Sequence, residues 1–173
     1  MLFGKKEDCK DKKSLIIYFS RADENYSVGF IDKGNTEVIA EYIQKLTDAD
    51  MFKVEPEIPY AKDYDTCINE AKERQASHNA PIKEDIPDIS SYEVIYIGSP
   101  VCWGDMPEEL VTALKNVDLI GKVIRPFVTH EGSGLANIPS QIKEVCKGAE
   151  VMNGLAIRGS AVGSSKNKVE EWL

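Results

Sequence analysis

Apolar runs typical of β-strands alternate with helix-like patterns along most of this chain. The runs at residues 14–19 and 94–97 are continuous and rich in bulky or β-branched side chains, which is typical of strands covered on both faces of a sheet. A helix follows each strand, so successive strands have to be parallel and their connections right-handed. The alternation therefore predicts an α/β fold: a doubly wound parallel sheet with helices on both of its faces.

The chain of 173 residues is expected to form one domain over residues 14–173, after a charged segment at residues 1–13 that is either a tail or the start of an edge strand. The predicted strands are residues 14–19, 51–54, 94–97, 121–129 and 151–157. The predicted helices are residues 36–46, 64–78, 137–147 and 164–173, and Tyr64, Ile68 and Ala71 lie on one side of the helix over residues 64–78. Asp105 as a capping acid, Pro107 and Glu108 predict the start of a further helix, which carries Leu110, Val111, Leu114 and Val117 on its apolar face. Gly98-Ser99-Pro100 is expected to end the third strand in a loop.

Composition and charge exclude several classes of partner. The net charge of −8 and a pI near 4.9 argue against nucleic acid and anionic membranes, because their phosphates would be repelled. No apolar run approaches the roughly 20 residues of a membrane span, and only Leu2 and Phe3 precede the first lysines, so no signal-peptide core is expected. Four cysteines without C-x-x-C spacing and two histidines argue against a zinc site, and reduced thiols lead us to expect a cytoplasmic protein.

Three loops are unusual, and they follow the first, third and fourth predicted strands. In a parallel sheet these loops meet at the carboxyl edge, which is where ligands bind. The first loop is long, because residues 21–33 separate the strand from its helix, and its length is explained either by a function or by a surface insertion. Their coincidence at one edge is the main reason to expect a binding site there.

The helix after the first loop begins at Gly34, Asn35 and Thr36, and Ser20 ends the preceding strand. A helix start carries N–H groups without intrahelical partners and the positive end of the dipole. Small hydroxyl and amide side chains at that position favour a phosphate site. The alternative is that Asn35 and Thr36 only cap the helix, as such residues commonly do.

Trp103 and two glycines mark the other loops. Trp103 follows Pro100 in the second loop, where a flat ligand ring can stack on it, although the indole can also tuck beneath its own loop. Gly132 and Gly134 in the third loop allow the backbone to approach a ligand closely. The first strand is not followed by G-x-G-x-x-G, and the chain lacks G-x-x-x-x-G-K-[ST], which argues against dinucleotide and P-loop sites.

Together, three segments resemble those of flavodoxin-like FMN proteins. They are Ser20 with Gly34-Asn35-Thr36, the run Gly98-Ser99-Pro100-Val101-Cys102-Trp103-Gly104, and the run Thr129-His130-Glu131-Gly132-Ser133-Gly134. The second is similar to the family's G-x-P-x-W-W-G loop and the third to its T-H-x-G-S-G loop. The resemblance covers most of residues 14–157 and implies a five-stranded sheet of order 2-1-3-4-5 with FMN at its carboxyl edge.

The resemblance also implies a role for each matching residue. Ser20, Arg21, Gly34, Asn35 and Thr36 would hold the phosphate. Pro100, Val101, Cys102, Trp103 and Gly104 would flank the isoalloxazine, with Trp103 stacked on it. His130, Glu131, Gly132, Ser133 and Gly134 would border the polar edge of the ring or the ribityl chain. Two departures are residues 21–33, which interrupt the compact phosphate loop, and Cys102, which replaces a tryptophan and is either redox-active or a small apolar filler.

The implied function is that of an FMN-binding electron carrier that exchanges electrons with partner proteins or small-molecule acceptors, with no catalytic side chain assigned. An FMN-dependent NAD(P)H oxidoreductase acting on quinone-type acceptors is the alternative, although the sequence shows no second nucleotide motif. A flavodoxin-shaped binding module without enzymatic activity is the third. Because the negative charge of the chain disfavours adding electrons to a bound flavin, a low reduction potential is expected.

Overall fold

The computed structural model describes residues 9–173. In chain order the strands are β1 (Ser14–Tyr18), β2 (Asp23–Asn25), β3 (Gly29–Ile31), β4 (Asp50–Lys53), β5 (Val94–Pro100), β6 (Val123–His130), β7 (Glu150–Val151) and β8 (Leu155–Arg158). The α-helices are α1 (Asn35–Thr47), α2 (Tyr64–Ser77), α3 (Glu108–Lys115), α4 (Ile138–Val145) and α5 (Lys166–Trp172), and a 3₁₀-helix (Gly159–Ser164) precedes α5. No helix within residues 9–173 is long and apolar enough to cross a membrane.

The main sheet is parallel and has the strand order β4-β1-β5-β6-β7, with β8 also paired to β6. In terms of the five predicted strands this is the order 2-1-3-4-5, so the predicted α/β fold and its topology are confirmed. β1 lies between β4 and β5, and its carboxyl end therefore emerges beside theirs.

The last predicted strand, residues 151–157, is split into β7 and β8. Ile124 pairs with Val151 and Phe127 pairs with Leu155, so the edge strand uses one more residue than β6 between these two pairs. Pro126 lies in β6 opposite the split, and proline has no N–H group to donate to the edge strand. The extra residue is accommodated as a bulge, and pairing resumes at β8.

Side chains of β1 alternate between two hydrophobic cores, one on each face of the sheet. Leu15 and Ile17 belong to the core that includes α3 and α4, whereas Ile16 and Tyr18 belong to the core that includes α1 and α5. Burial on both faces explains why the sequence of this strand is a continuous apolar run without alternation.

The start of the described chain is packed against the domain. Residues 1–8 of the predicted tail lie outside the described residues, but residues 9–11 are helical and Cys9 is buried. The Cys9 thiol lies 3.8 Å from the Met152 sulfur, and the Lys13 carbonyl accepts a hydrogen bond from the Glu93 N–H at 2.9 Å. The helical turn at residues 9–11 is therefore neither of the two expectations for this segment, a tail or the start of an edge strand.

The long first loop contains regular structure that was not predicted from the sequence. β2 and β3 form an antiparallel hairpin in which Asp23 pairs with Ile31 and Asn25 with Gly29. Ser27 in the turn and Gly29 at its end have positive φ angles of 68° and 71°. Strands of three residues are too short to show the period-2 alternation that identifies longer strands, so the hairpin reads as a polar loop.

Two helix starts also differ from prediction. Asp105 was expected to cap α3, but α3 begins at Glu108 with Pro107 in the N-cap position. The Asp105 carboxylate instead accepts a hydrogen bond from Asn137 Nδ2 at 3.1 Å. The final predicted helix, residues 164–173, begins only at Lys166, because the chain before it forms the 3₁₀-helix.

β5 continues through the glycine that was expected to end it. Gly98 pairs with Tyr18 on one side and Phe127 on the other, and the strand reaches Pro100. A Cβ atom on Gly98 would lie 2.1 Å from Cζ of Phe127. Glycine is present here because a buried aromatic ring covers the strand, and not because the chain turns.

We expect Gly98→Ala to destabilise the protein by about 1–3 kcal/mol, because the added methyl group overpacks the Phe127 ring. Urea unfolding of the protein without added ligand measures the effect. Gly163→Ala is the matched control, since no atom lies within 4 Å of its ideal Cβ position. Adding Phe127→Leu to Gly98→Ala should recover part of the loss. Equal stability of Gly98→Ala and Gly163→Ala would contradict this account.

Candidate functional site

A cavity of about 360 Å³ lies at the carboxyl edge of the main sheet. The loops after β1, β5 and β6, the hairpin β2–β3 and one face of α2 enclose it. Its volume falls within the range of roughly 300–1,000 Å³ that is usual for small-molecule sites. The three loops singled out from the sequence therefore meet at one cavity.

Most of the predicted site residues line this cavity. They are Ser20, Arg21, Asn35, Thr36, Pro100, Val101, Cys102, Trp103, His130, Glu131 and Ser133. The predicted glycines Gly34, Gly104, Gly132 and Gly134 are not among its lining residues and instead shape the backbone of the same loops. The remaining lining residues are not among the predicted site residues; they are Phe19, Asn25, Tyr26, Tyr60, Tyr64, Cys67, Ile68, Ala71 and Thr129.

The start of α1 offers unpaired donors to the cavity. Gly34 is the N-cap residue and has no side chain with which to cap the helix, and Asn35 and Thr36 lie inside the helix, so the interpretation of these two residues as simple caps is wrong. The Ser20 hydroxyl accepts a hydrogen bond from the Glu37 N–H at 3.0 Å. Within residues 9–173, the N–H groups of Asn35 and Thr36 have no acceptor, which leaves them available to an anion.

The two ends of the inserted segment, residues 21–33, lie close together in the structure. A Cβ atom on Gly34 would lie 2.1 Å from the Ser20 hydroxyl and 2.8 Å from the Arg21 nitrogen. Glycine is required at this position because the start of α1 packs directly on the end of β1. The insertion therefore does not separate Ser20 from the helix that begins at residue 35.

The side chains of Asn35 and Thr36 differ in how they are engaged. Thr36 is buried, and its hydroxyl lies 2.8 Å from the hydroxyl of Thr129 at the carboxyl end of β6. This bond joins the first and third loops of the site. The Asn35 amide lines the cavity without a hydrogen-bond partner among residues 9–173, so it is a donor and acceptor that the fold itself does not use.

Arg21 does not offer a free guanidinium to a phosphate. Its Nη2 donates to the carbonyls of Ala61 and Lys62 at 2.7 and 2.8 Å, and its Nη1 donates to the carbonyl of Glu24. Its Nε is buried without a partner in the described part of the chain. Arg21 thus lines the cavity mainly as a connection between the hairpin and the segment before α2.

Trp103 stands at the tip of a tight turn in the second loop. Cys102 and Asp105 exchange two backbone hydrogen bonds, and Trp103 and Gly104 between them have φ angles of 53° and 84°, as in a type I′ turn. The Trp103 side chain is 53% exposed, and its Nε1 donates to the Ile68 carbonyl at 2.8 Å. The indole therefore lies against α2 and not beneath its own loop.

The Cys102 thiol is in an environment that keeps it neutral. Burial, with a smaller contribution from the neighbouring Cys67, raises the pKa of the Cys102 thiol to about 12. Burial also raises the pKa of the Cys67 thiol. Because the thiolate is the reactive form, both environments favour a packing role over redox chemistry.

The third loop is ordered by its own polar groups. The Gly132 N–H donates to Nδ1 of His130 at 2.9 Å, and Glu131 Oε1 accepts from the Ser160 N–H at 3.0 Å. Burial and the nearby Arg158 hold the pKa of His130 below its usual value. A neutral imidazole is the form that can accept this hydrogen bond at Nδ1.

One wall of the cavity comes from α2 and the segment before it. Tyr64, Ile68 and Ala71 share one face of the predicted helix, and the structure places that face, with Cys67, along the cavity. The helical spacing of these side chains predicts that they share one face, but an apolar face can cover either a core or a binding site. Tyr60 also lines the cavity, and no periodic pattern marked it.

A buried ion pair contacts Tyr60 of this wall. Glu109 is completely buried, and its carboxylate accepts from Arg74 Nη1 at 2.6 Å and from the Tyr60 hydroxyl at 2.8 Å. The Arg74 guanidinium stacks on the Tyr60 ring at 3.9 Å from its centroid. Burial, together with the Glu109 carboxylate, raises the pKa of Tyr60 above its usual value, so its hydroxyl remains a donor.

Comparison with solved structures shows the same fold in several proteins. A protein from Bacteroides uniformis ATCC 8492 has a TM-score of 0.74 and 20% identity, with 94% of this chain and 97% of that chain covered. A flavoprotein from Lactobacillus acidophilus NCFM in complex with FMN has a TM-score of 0.64 and 25% identity, covering 92% and 99%. Oxidised flavodoxin 2 from Bacillus cereus has a TM-score of 0.53 and 22% identity, covering 92% and 97%.

Comparisons of the sequence agree with this fold assignment. None of the curated proteins matches the chain. A family model described as flavodoxin, however, matches residues 24–173, which is most of the chain and includes the α1 start, the second loop and the third loop. This chain therefore belongs to the flavodoxin family.

Proposed function

We propose that this protein binds FMN in the cavity at the carboxyl edge and acts as an electron carrier. The single observation that carries the proposal is that helix N–H donors without an acceptor in the described part of the chain and an aromatic wall line the same cavity. Membership of the flavodoxin family supports it, and so does the likeness to a flavoprotein that was solved in complex with FMN.

The phosphate of FMN fits the start of α1. The N–H groups of Asn35 and Thr36 and the Asn35 side-chain amide provide hydrogen bonds without a lysine or arginine head group. The positive end of the helix dipole adds to the attraction for a dianion. Ser20 and Gly34 hold the loop in the close conformation that exposes these donors.

The ring of FMN fits the second and third loops. Pro100, Val101 and Trp103 supply apolar and aromatic surface, and His130 and Ser133 supply polar groups beside it. When bound, FMN supplies the capacity to accept and release electrons. The protein contributes binding, orientation and partial exclusion of water, and in this assignment no side chain has to move a proton.

We expect Asn35→Ala to weaken FMN binding by about 1.5–3 kcal/mol, roughly a 10- to 150-fold rise in Kd, because it removes a hydrogen bond to a charged phosphate. The stability of the protein without FMN should stay almost unchanged, since the Asn35 amide has no partner within residues 9–173. Titration of the apoprotein with FMN and urea unfolding measure the two effects.

Thr36→Ala is the contrasting variant for this experiment. It should weaken binding and also destabilise the apoprotein, because it leaves the buried Thr129 hydroxyl without its partner. Equal losses of binding energy and apoprotein stability in Asn35→Ala would contradict the assignment of Asn35 to the phosphate.

We expect the purified protein loaded with FMN to oxidise NADPH only slowly in the presence of a quinone, because a carrier receives electrons from a partner protein. Steady-state absorbance at the NADPH band measures the rate, with free FMN at the same concentration as the control. Vigorous turnover would assign the protein as an NAD(P)H oxidoreductase instead. A colourless protein whose melting temperature does not rise with FMN would indicate a non-flavin binding module.

We expect Glu131→Gln to raise the reduction potential of the bound FMN, because it removes a negative charge that disfavours adding electrons. The interaction free energy between one unit charge and the added electron at a partly solvated site is about 1 kcal/mol, which corresponds to roughly 20–60 mV for one electron. Glutamine retains an oxygen for the Ser160 N–H. Glu144→Gln, an exposed residue of α4 outside the cavity lining, is the control, and equal shifts in both variants would contradict a local effect of Glu131.

A further inference from the structure

The hairpin of residues 23–31 is held tightly beside the cavity. In addition to the Arg21 bonds, the Glu24 N–H donates to the Lys62 carbonyl at 3.1 Å. The Glu24 carboxylate accepts from the Tyr64 N–H at 2.8 Å, at the first residue of α2. The hairpin is therefore fixed to the cavity wall at several points and forms part of the cavity's edge.

Two hairpin side chains line the cavity, Asn25 and Tyr26. The Asn25 amide donates to the carbonyls of Arg21, Ala22 and Asp23 at 3.1–3.2 Å, which closes the base of the hairpin. Tyr26 packs on Tyr64, with ring centroids 5.8 Å apart and planes inclined by 38°. Even so, 61% of Tyr26 is exposed, so much of its surface remains open for another contact.

Phe30 shows that exposure alone does not define the site. It lies on the same hairpin and is 71% exposed, but it is not among the lining residues of the cavity. The chain thus carries two exposed aromatic side chains on one hairpin, of which only Tyr26 reaches the cavity. Substitutions of these two residues can therefore distinguish a contact with the ligand from a general effect of removing an aromatic side chain from the hairpin.

We propose that the hairpin forms an outer wall of the flavin pocket and that Tyr26, backed by Tyr64, contacts the ring of bound FMN. This inference rests on the proposed FMN binding and goes beyond it, because it assigns a binding residue to the inserted segment. Covering the open surface of Tyr26 with a flat aromatic ligand buries apolar area and adds an aromatic contact. The second loop offers a single indole to this pocket, with Cys102 beside it, and the hairpin adds an aromatic side chain from another direction.

The test compares Tyr26→Ala with Tyr26→Phe and with the control Phe30→Ala. In titrations of the apoprotein with FMN, Tyr26→Ala should raise the Kd roughly 3- to 10-fold, as expected for one aromatic contact. It should also leave the fluorescence of bound flavin less quenched, because a stacked tyrosine quenches the excited flavin. Tyr26→Phe should stay within about twofold of wild type in Kd, and Phe30→Ala should match wild type in both readouts. Thermal unfolding of each apoprotein checks that the fold is intact.

Limited proteolysis of the wild-type protein gives an independent readout. Chymotrypsin cleavage after Tyr26 should slow when FMN is added, because the ring covers this side chain. If wild type binds FMN but Tyr26→Ala and Phe30→Ala have the same Kd and flavin fluorescence, the inference is overturned. Unchanged cleavage after Tyr26 also overturns it. Failure of the wild-type protein to bind FMN overturns the proposed function itself, and this inference with it.

Discussion

The site depends on the parallel pairing of β1 with its two neighbours. Tyr18, the last residue of β1, pairs with Lys53 of β4 on one side and with Gly98 of β5 on the other. The pairing of Pro100 with Thr129 extends the same edge to β6. Because paired strands lie about 4.8 Å apart, the loops that follow them begin side by side although they are distant in sequence. The cavity is a direct consequence of this arrangement.

The groups proposed to hold the phosphate are neutral hydrogen-bond donors and not cations. The N–H groups at the start of α1 and the Asn35 amide are neutral donors, whereas Arg21, which also lines the cavity, uses its guanidinium on backbone carbonyls. In a chain with a net charge of −8, the proposed phosphate is therefore held by dipoles and hydrogen bonds. Arg21 instead connects the hairpin to the segment before α2 through its hydrogen bonds to backbone carbonyls.

Prediction succeeded where a segment was long enough to show a periodic pattern. It failed where a segment was too short for one, or where the role of a residue depends on its neighbours in the fold. The periodic spacing of Ile39, Tyr42, Ile43 and Leu46 predicts α1 because a helix repeats every 3.6 residues. The prediction that β5 ends at Gly98 was wrong because glycine commonly marks turns in a sequence, whereas here it makes room for the Phe127 ring of the neighbouring strand. The short strands of the hairpin carry no periodic signal, so neither their pairing nor the place of Tyr26 at the cavity could be predicted.

By itself the sequence determined the alternation of strands and helices, and hence the parallel sheet and the meeting of three loops at its carboxyl edge, because hydrophobic periodicity is a property of neighbouring residues. The resemblance of those loops to flavodoxin motifs identified candidate residues for the site. Only the tertiary structure decided which of their groups are free and which are occupied. Thr36 bonds to Thr129, Arg21 bonds to the segment before α2, and the Asn35 amide has no partner among residues 9–173. Each of these outcomes depends on segments that the chain brings together only when it folds.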